Sequence, residues 1–256
     1  MKTIKSWKVT LLSVAVLVGL VLALGFKFLK SQEVRAPEIG KQQTPQASNK
    51  PELEVQTPKL NITDPASIYV LVNKTHPLEP KDYTPADLVA DAIPTVASDS
   101  KDERSARAVI QKDLVAMFAS AKSSHLSLVM NSGFRSSAKQ AFYYNNYVKQ
   151  SGEAAANKFS AKPGYSEHQT GLSLDISNAD RSCYLEECFG DSAAGKWLAT
   201  NAHNYGFILR YPKGKEDITG YQYEPWHFRY VGKDLAKEIY QQNLTYEEYL
   251  TKLNLL

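Results

Sequence analysis

Cysteine is scarce in this chain, and the scarcity narrows the chemistry. Only two occur among 256 residues, Cys183 and Cys188. That number rules out a scaffold held by many disulfides and a four-thiolate zinc knuckle. The C-x4-C pair is read as a small local disulfide outside the cytoplasm; two zinc thiolates are the alternative, but further ligands are not obvious nearby. Acidic residues are missing from the start of the chain: none precedes Glu33, while Lys2, Lys5, Lys8, Lys27 and Lys30 are all positive. Removing these five lysines from the formal charge of +3 leaves the remainder at −2. That balance argues against nucleic acid as a partner. Aromatics are absent from residues 31–60, and no internal repeat is visible.

Between Lys8 and Lys27 lie 18 residues without a charge, VTLLSVAVLVGLVLALGF. The run is just long enough to span a bilayer. A cleaved signal peptide is the competing reading. The exit LALGFKFLK carries bulky residues and lysines where a small-x-small cleavage site would be needed, which favours an uncleaved anchor. No cysteine follows, so a lipoprotein is excluded. The expected organisation is a cytoplasmic tip at 1–8, a single-pass anchor at 9–26, a Pro-, Gln- and Lys-rich stalk at 27–60 and a folded domain at 61–256. Such a stalk buries too little surface to offset the entropy of ordering it. With 43% hydrophobic and 22% charged residues, the rest suffices for an ordinary packed core.

Within that domain SIYVLVNK reads as a short strand. Residues 102–123 place Ile110, Leu114, Met117, Phe118 and Ala121 on one helical stripe. LSLVMNSGFRSS reads as a strand entering a turn, followed by a helix with Ser137 as its N-cap and Gly152 as its stop. GLSLDIS alternates, with Leu172, Leu174 and Ile176 on one face and Ser173 and Asp175 on the other. A helix ending near Gly206, strands FILRY and HFRYV, and two closing helices complete the pattern. Thr245 and Glu248 have capping-box spacing. The regular βαβ rhythm of a parallel sheet is missing, so the expected class is α+β with a small antiparallel sheet flanked by helices.

Five histidines are present. His76, His125 and His203 lie in a loop, at a helix end and within an amphipathic helix, and are read as structural. His168 precedes Asp175 by seven positions, and Gly171 between them allows a bend that brings the two together. An imidazole and a carboxylate suit zinc. His227, on a neighbouring strand, supplies a third ligand. Glu224 lies three residues earlier in YEPWH, where Pro225 keeps it extended; it is placed beside the metal as a general base. Alone, either H-x6-D or E-x-x-H is also the pattern of an ordinary buried polar pair.

Taken together, SGFRS, PGYSEHQTGLSLDIS, WLATNAHNYGFILRYP and YEPWHFRYVG resemble the VanY-like zinc D-alanyl-D-alanine carboxypeptidases. The likeness spans most of the folded part. It implies the small hedgehog/DD-peptidase α+β fold. It implies one zinc ion on His168, Asp175 and His227, with Glu224 as base and Arg135 as the substrate-carboxylate residue. The usual tyrosine before that arginine is Phe134 here. Arginine suits this task through paired charge-assisted hydrogen bonds. Ser136, Gln140, Ser166 and Trp226 are secondary candidates for lining the pocket; Gln140 serves equally as a helix cap and Trp226 as a wall. The implied substrate is a peptidoglycan stem peptide, and the implied location is the outer face of a bacterial membrane, as a monomer. Cleavage of an L,D bond in a tetrapeptide is slightly preferred over a D,D bond in a pentapeptide. An endopeptidase of the same fold and a non-catalytic zinc-stabilised wall-binding module are the alternatives.

Overall fold

Residues 60–96 and 100–256 are described by the computed structural model of the chain. The tip expected at 1–8, the anchor at 9–26 and nearly all of the stalk at 27–60 lie outside them. Leu60, at the end of that expected stalk, is buried. Among the described residues no helix is long and apolar enough to cross a membrane.

In chain order the elements begin with β1 (Leu88–Ala90), β2 (Ser105–Arg107), α1 (Gln111–Ser123), β3 (Leu128–Ser132), α2 (Ser137–Ser151) and α3 (Glu153–Phe159). They continue with β4 (Ser173–Asn178), α4 (Ala193–Asn201), β5 (Phe207–Leu209), α5 (Glu216–Thr219), β6 (His227–Tyr230), α6 (Lys233–Gln242) and α7 (Tyr246–Lys252). β1 and β2 form an antiparallel pair. The other four strands form a second antiparallel sheet in the order β3-β4-β6-β5. This is the mixed class that the sequence pattern predicts.

β4 and β6 are the inner strands, and that position explains their composition. Ser173 and Ser177 are as buried as Leu174 and Ile176, and Asp175 nearly so, because both faces of the sheet are covered. Leu174 and Ile176 enter the main core with Phe228 of β6 and with Ile110, Leu114, Met117, Phe118 and Ala121 of the α1 stripe. Each fully buried large aliphatic side chain stabilises by about 1.5–3 kcal/mol relative to exposure. A second cluster joins Leu235 and Ile239 of α6 to Tyr246 and Leu250 of α7, and Leu60 and Leu71 pack into it. The Thr245–Glu248 capping box forms at the start of α7.

Three local expectations change. SIYVLVNK forms no strand. Its carbonyls at Ile68 and Val70 accept from the Arg229 guanidinium, and Leu71 N–H donates to Ile62 O. Side-chain and turn bonds therefore satisfy this backbone where a ladder was expected. The helix read across 102–123 begins only at Gln111, because Ser105–Arg107 pairs with Leu88–Ala90. Ser136, one residue earlier than expected, caps α2 by accepting the Lys139 N–H; Gly152, at φ 81°, ends the helix as read.

Candidate metal centre and active-site pocket

Strand register brings the first two ligands together. Asp175 of β4 and His227 of β6 are direct cross-strand partners, so their side chains leave the same face within reach of each other. His168 arrives from a 3-10 turn, Glu167–Thr170, that ends at Gly171. Gly171 has φ 65°, and a Cβ there would stand 2.9 Å from the Arg107 side chain; only glycine makes this bend without strain. His168 Nε2 then lies 3.3 Å from Asp175 Oδ2, and His227 Nδ1 lies 3.2 Å from Asp175 Oδ1. The two imidazoles meet edge to face at 4.9 Å. One donor atom from each of the three residues lies within 4.8 Å of the other two, and all three residues are buried.

The outward nitrogens are engaged. His168 Nδ1–H donates to Gly133 O at 2.8 Å. Gly133 has no alternative residue, since a Cβ would stand 2.2 Å from Ser105 O. His227 Nε2–H donates to Glu167 Oε2 at 3.3 Å. These bonds hold each ring with its other nitrogen facing Asp175, the usual arrangement for ligating histidines. Two imidazole nitrogens and a carboxylate oxygen, buried and oriented from behind, make a candidate metal site whose donor set is consistent with zinc. Glu224 Oε2 stands 3.9 Å from His227 Nδ1, beside this triad and outside it.

The VanY family model, described as D-alanyl-D-alanine carboxypeptidase, matches residues 103–233. This chain belongs to the VanY family. A relative in Bacillus subtilis (strain 168), named "Putative carboxypeptidase YodJ", is 47% identical over 196 residues, covering 75% of this chain and 70% of the relative. The structure of the LdcB LD-carboxypeptidase superposes with a TM-score of 0.70 at 46% identity, over 73% of this chain and 87% of that one. A vancomycin-resistance D,D-pentapeptidase VanY in complex with Zn(II) gives 0.58 at 31% identity, over 71% of this chain and 97% of that one.

In this VanY-family chain the triad opens into a cavity of about 260 Å³ that Arg135, Gln140, Ser166, Glu224 and Trp226 also line. Gln140 is fully buried and does not cap its helix. Its Oε1 accepts from Arg135 Nη1 at 3.1 Å, and its Nε2 donates to Ala161 O at 2.7 Å. Ser132 Oγ accepts from Arg135 Nη2 at 2.8 Å. Two of the five guanidinium N–H groups are thus spent on orientation, and Nη2 also lies 3.9 Å from Asp175 Oδ2. Trp226 is both a core residue and a pocket wall. Ser136 is absent from the lining; its hydroxyl caps α2. Among the remaining histidines, His76 pairs with Asn73, His203 stacks on Tyr240 at 3.7 Å, and His125 ends α1 in a left-handed conformation. Cys183 and Cys188 form a disulfide, which leaves no thiolate for a metal.

Burial governs the electrostatics. It pushes the Glu224 carboxyl up to about 8, the His227 and Arg135 charges opposing and Asp175 adding to the rise. Burial lowers His168. It also acts to lower His227, but hydrogen bonds to Asp175 and Glu167 outweigh it and raise that ring to about 9. For Asp175 burial acts upward, and the His168 and His227 rings outweigh it, holding the carboxyl well below the usual range.

The sequence reading missed the support behind the site. Glu167 has a fully buried side chain; Arg210 Nε and Arg229 Nη1 donate to its Oε1 at 2.7 and 2.9 Å, and Ser173 Oγ to its Oε2 at 2.9 Å. Arg210 reaches on to Glu247 at 2.5 and 2.8 Å, and Asn73 Nδ2 donates to the same carboxylate. The signal was present: each of FILRY and HFRYV sets an arginine among apolar strand residues, and a buried guanidinium needs a carboxylate partner.

Glu247 makes a pH prediction. Burial acts to raise its pKa, but Arg210 and Asn73 outweigh it and the net shift is downward. A glutamate in the unfolded chain protonates near about 4.3. Above that pH the ion pair contributes fully; as pH falls below it the unfolded state takes up protons first, and the contribution is lost as pH passes through the depressed folded value. Melting curves from pH 7 to 3 should show Tm falling below about pH 4.5. Glu247→Gln should start lower, by about 3–5 kcal/mol, and fall less steeply. Parallel curves for the two proteins would show that Glu247 does not contribute to the acid transition.

Proposed function

We propose that this chain removes the terminal D-alanine from peptidoglycan stem peptides as a zinc carboxypeptidase, with the L,D bond of the tetrapeptide preferred. The chain is a peptide-bond hydrolase of the VanY family, and one observation carries the fuller reading. A three-ligand set, a buried carboxylate beside it and an arginine held by Gln140 and Ser132 all face one cavity. The L,D preference is supported by the greater likeness to the LdcB LD-carboxypeptidase than to the D,D-pentapeptidase, in both identity and TM-score. The disulfide supports a domain outside the reducing cytoplasm.

Zinc on His168, Asp175 and His227 would supply Lewis-acid polarisation of the scissile carbonyl and would acidify the attacking water. Arg135 binds the free carboxylate of the last residue and so sets which bond is cut. Gln140 and Ser132 keep the guanidinium plane fixed, which lowers the ordering penalty on binding. Glu224 takes the proton of the attacking water and delivers it to the departing amine. Trp226 and Tyr211, whose ring lies 4.8 Å from the His227 ring, wall the site and strengthen its electrostatics by excluding water. An endopeptidase has less use for Arg135 in this place, and a module that only binds has none for Glu224.

The decisive experiment incubates the chain with muropeptides carrying four-residue and five-residue stems and identifies the products by mass. D-alanine should leave the tetrapeptide, stop with a chelator and resume when zinc is restored. Release that survives complete metal removal, or no cleavage of either stem, would sink the proposal; faster release from the pentapeptide would reverse the L,D assignment. Arg135→Lys should lower kcat/KM by about 10–100-fold, the worth of one charge-assisted hydrogen bond. It should also weaken the discrimination against a stem whose terminal carboxylate is amidated. Unchanged discrimination would show that another group reads the carboxylate.

A further inference from the structure

The loop between β4 and α4 has no role in the mechanism above, yet it reaches the pocket. It leaves β4 at Asn178, three residues after the ligand Asp175, and reads ADRSCYLEECFG. Leu185 is the only large aliphatic residue in this polar stretch. It lines the same cavity as Arg135, Glu224 and Trp226, and with Cys183 it packs on the core cluster that contains Trp226. At the far end Phe189 is fully buried. Gly190 abuts the segment that carries Glu224: a Cβ there would stand 2.3 Å from the Tyr223 hydroxyl and 3.2 Å from Pro225 Cβ.

Part of this loop holds an unfavourable backbone conformation. Cys183 and Leu185 have φ 53° and 52°, the left-handed region that residues with a Cβ enter against a steric penalty. Such conformations persist where the surroundings enforce them. The first half of the loop is held by Asn178 Nδ2 on Ser182 Oγ and by Ser182 on Asp180. Between there and Phe189 the disulfide from Cys183 to Cys188 spans Leu185.

We infer that the Cys183–Cys188 loop is the apolar jaw of the substrate cleft, with Leu185 its contact residue for an aliphatic side chain of the stem peptide and the disulfide its positioning device. The inference rests on the proposed substrate class. Arg135 reads the terminal carboxylate, a feature that every stem peptide shares. Leu185 adds an apolar contact that depends on the peptide side chain and carries no charge. Such a contact raises substrate affinity without touching the reacting atoms.

The test uses three variants: Leu185→Ala, Leu185→Met, and Cys183→Ser with Cys188→Ser. Leu185→Ala and the double cysteine variant should raise KM for the tetrapeptide by about tenfold, with kcat within about threefold of native and one zinc per chain by metal analysis. Leu185→Met, which keeps the apolar volume, should restore a native KM. In a Glu224→Gln background the same changes should weaken tetrapeptide binding by the same factor in calorimetry. This arm reads the inference even where turnover fails, so failure of the proposed reaction and failure of the jaw are told apart. A KM within twofold of native in Leu185→Ala, or in the double cysteine variant, would overturn it; so would a loss confined to kcat.

Discussion

Glu224→Gln should lower D-alanine release by a factor of about 10²–10⁴ while zinc stays bound at one ion per chain. The two halves of this result come from different parts of the geometry. Glu224 stands 3.9 Å from His227 Nδ1 and outside the triad whose donors lie within 4.8 Å of one another. Removing its charge deletes no ligand. Glutamine keeps the shape and a hydrogen-bonding end but cannot accept the water proton. Because the loss falls on proton transfer, it should appear in kcat, with tetrapeptide affinity retained. Product analysis, metal content and calorimetric binding on one preparation check all three. Native turnover in the variant would remove Glu224 from the mechanism; loss of zinc would make it a ligand.

Glu167→Gln should lower stability and zinc affinity together. The native carboxylate sits between Arg210 and Arg229, with side chains of all three fully buried, and it also orients His227. Two attractive partners outweigh its own burial and hold the carboxyl well below the ordinary range. Neutralising it leaves two buried guanidinium groups with only Glu247 and backbone carbonyls between them. Breaking a buried pair in this way destabilises by about 3–5 kcal/mol. For a domain of this size that is a fall in Tm of about 6–20 °C. The same change removes the carboxylate behind His227 Nε2, and zinc affinity measured by chelator competition should drop by about 10–100-fold. The stability loss should persist in the metal-free protein, which separates the two roles. A native melting curve would show that the arginines find other partners.

Legibility differed between these two glutamates for a physical reason. Glu224 belongs to a short block whose chemistry is local: a carboxylate, a proline that keeps it extended, and a histidine three residues on. Glu167 makes sense only through Arg210 and Arg229, which are 43 and 62 residues away. Gln140 divides in the same way. Its position in a helix suggests a cap, but its burial against Arg135 and Ala161 makes it a positioning group. SIYVLVNK has the composition of a strand, yet an arginine from β6 takes two of its carbonyls.

Local periodicity and residue chemistry were enough to read the α+β class, the α1 stripe, the alternation of GLSLDIS and the α7 capping box; the candidate triad needed the family resemblance beside them. Alternation alone turns Asp175 away from the leucines, because successive side chains on a strand leave opposite faces. Which strand lies beside it is a different matter. Pairing Asp175 with His227, 52 residues on, depends on burying both faces of two inner strands at once, and no short window of sequence contains that balance. Tertiary structure alone decided the Glu167 hub, the fixing of Arg135 by Gln140 and the place of Leu185 in the cleft. Each joins distant segments, and each is held because a buried charge or polar group must be matched once water is excluded.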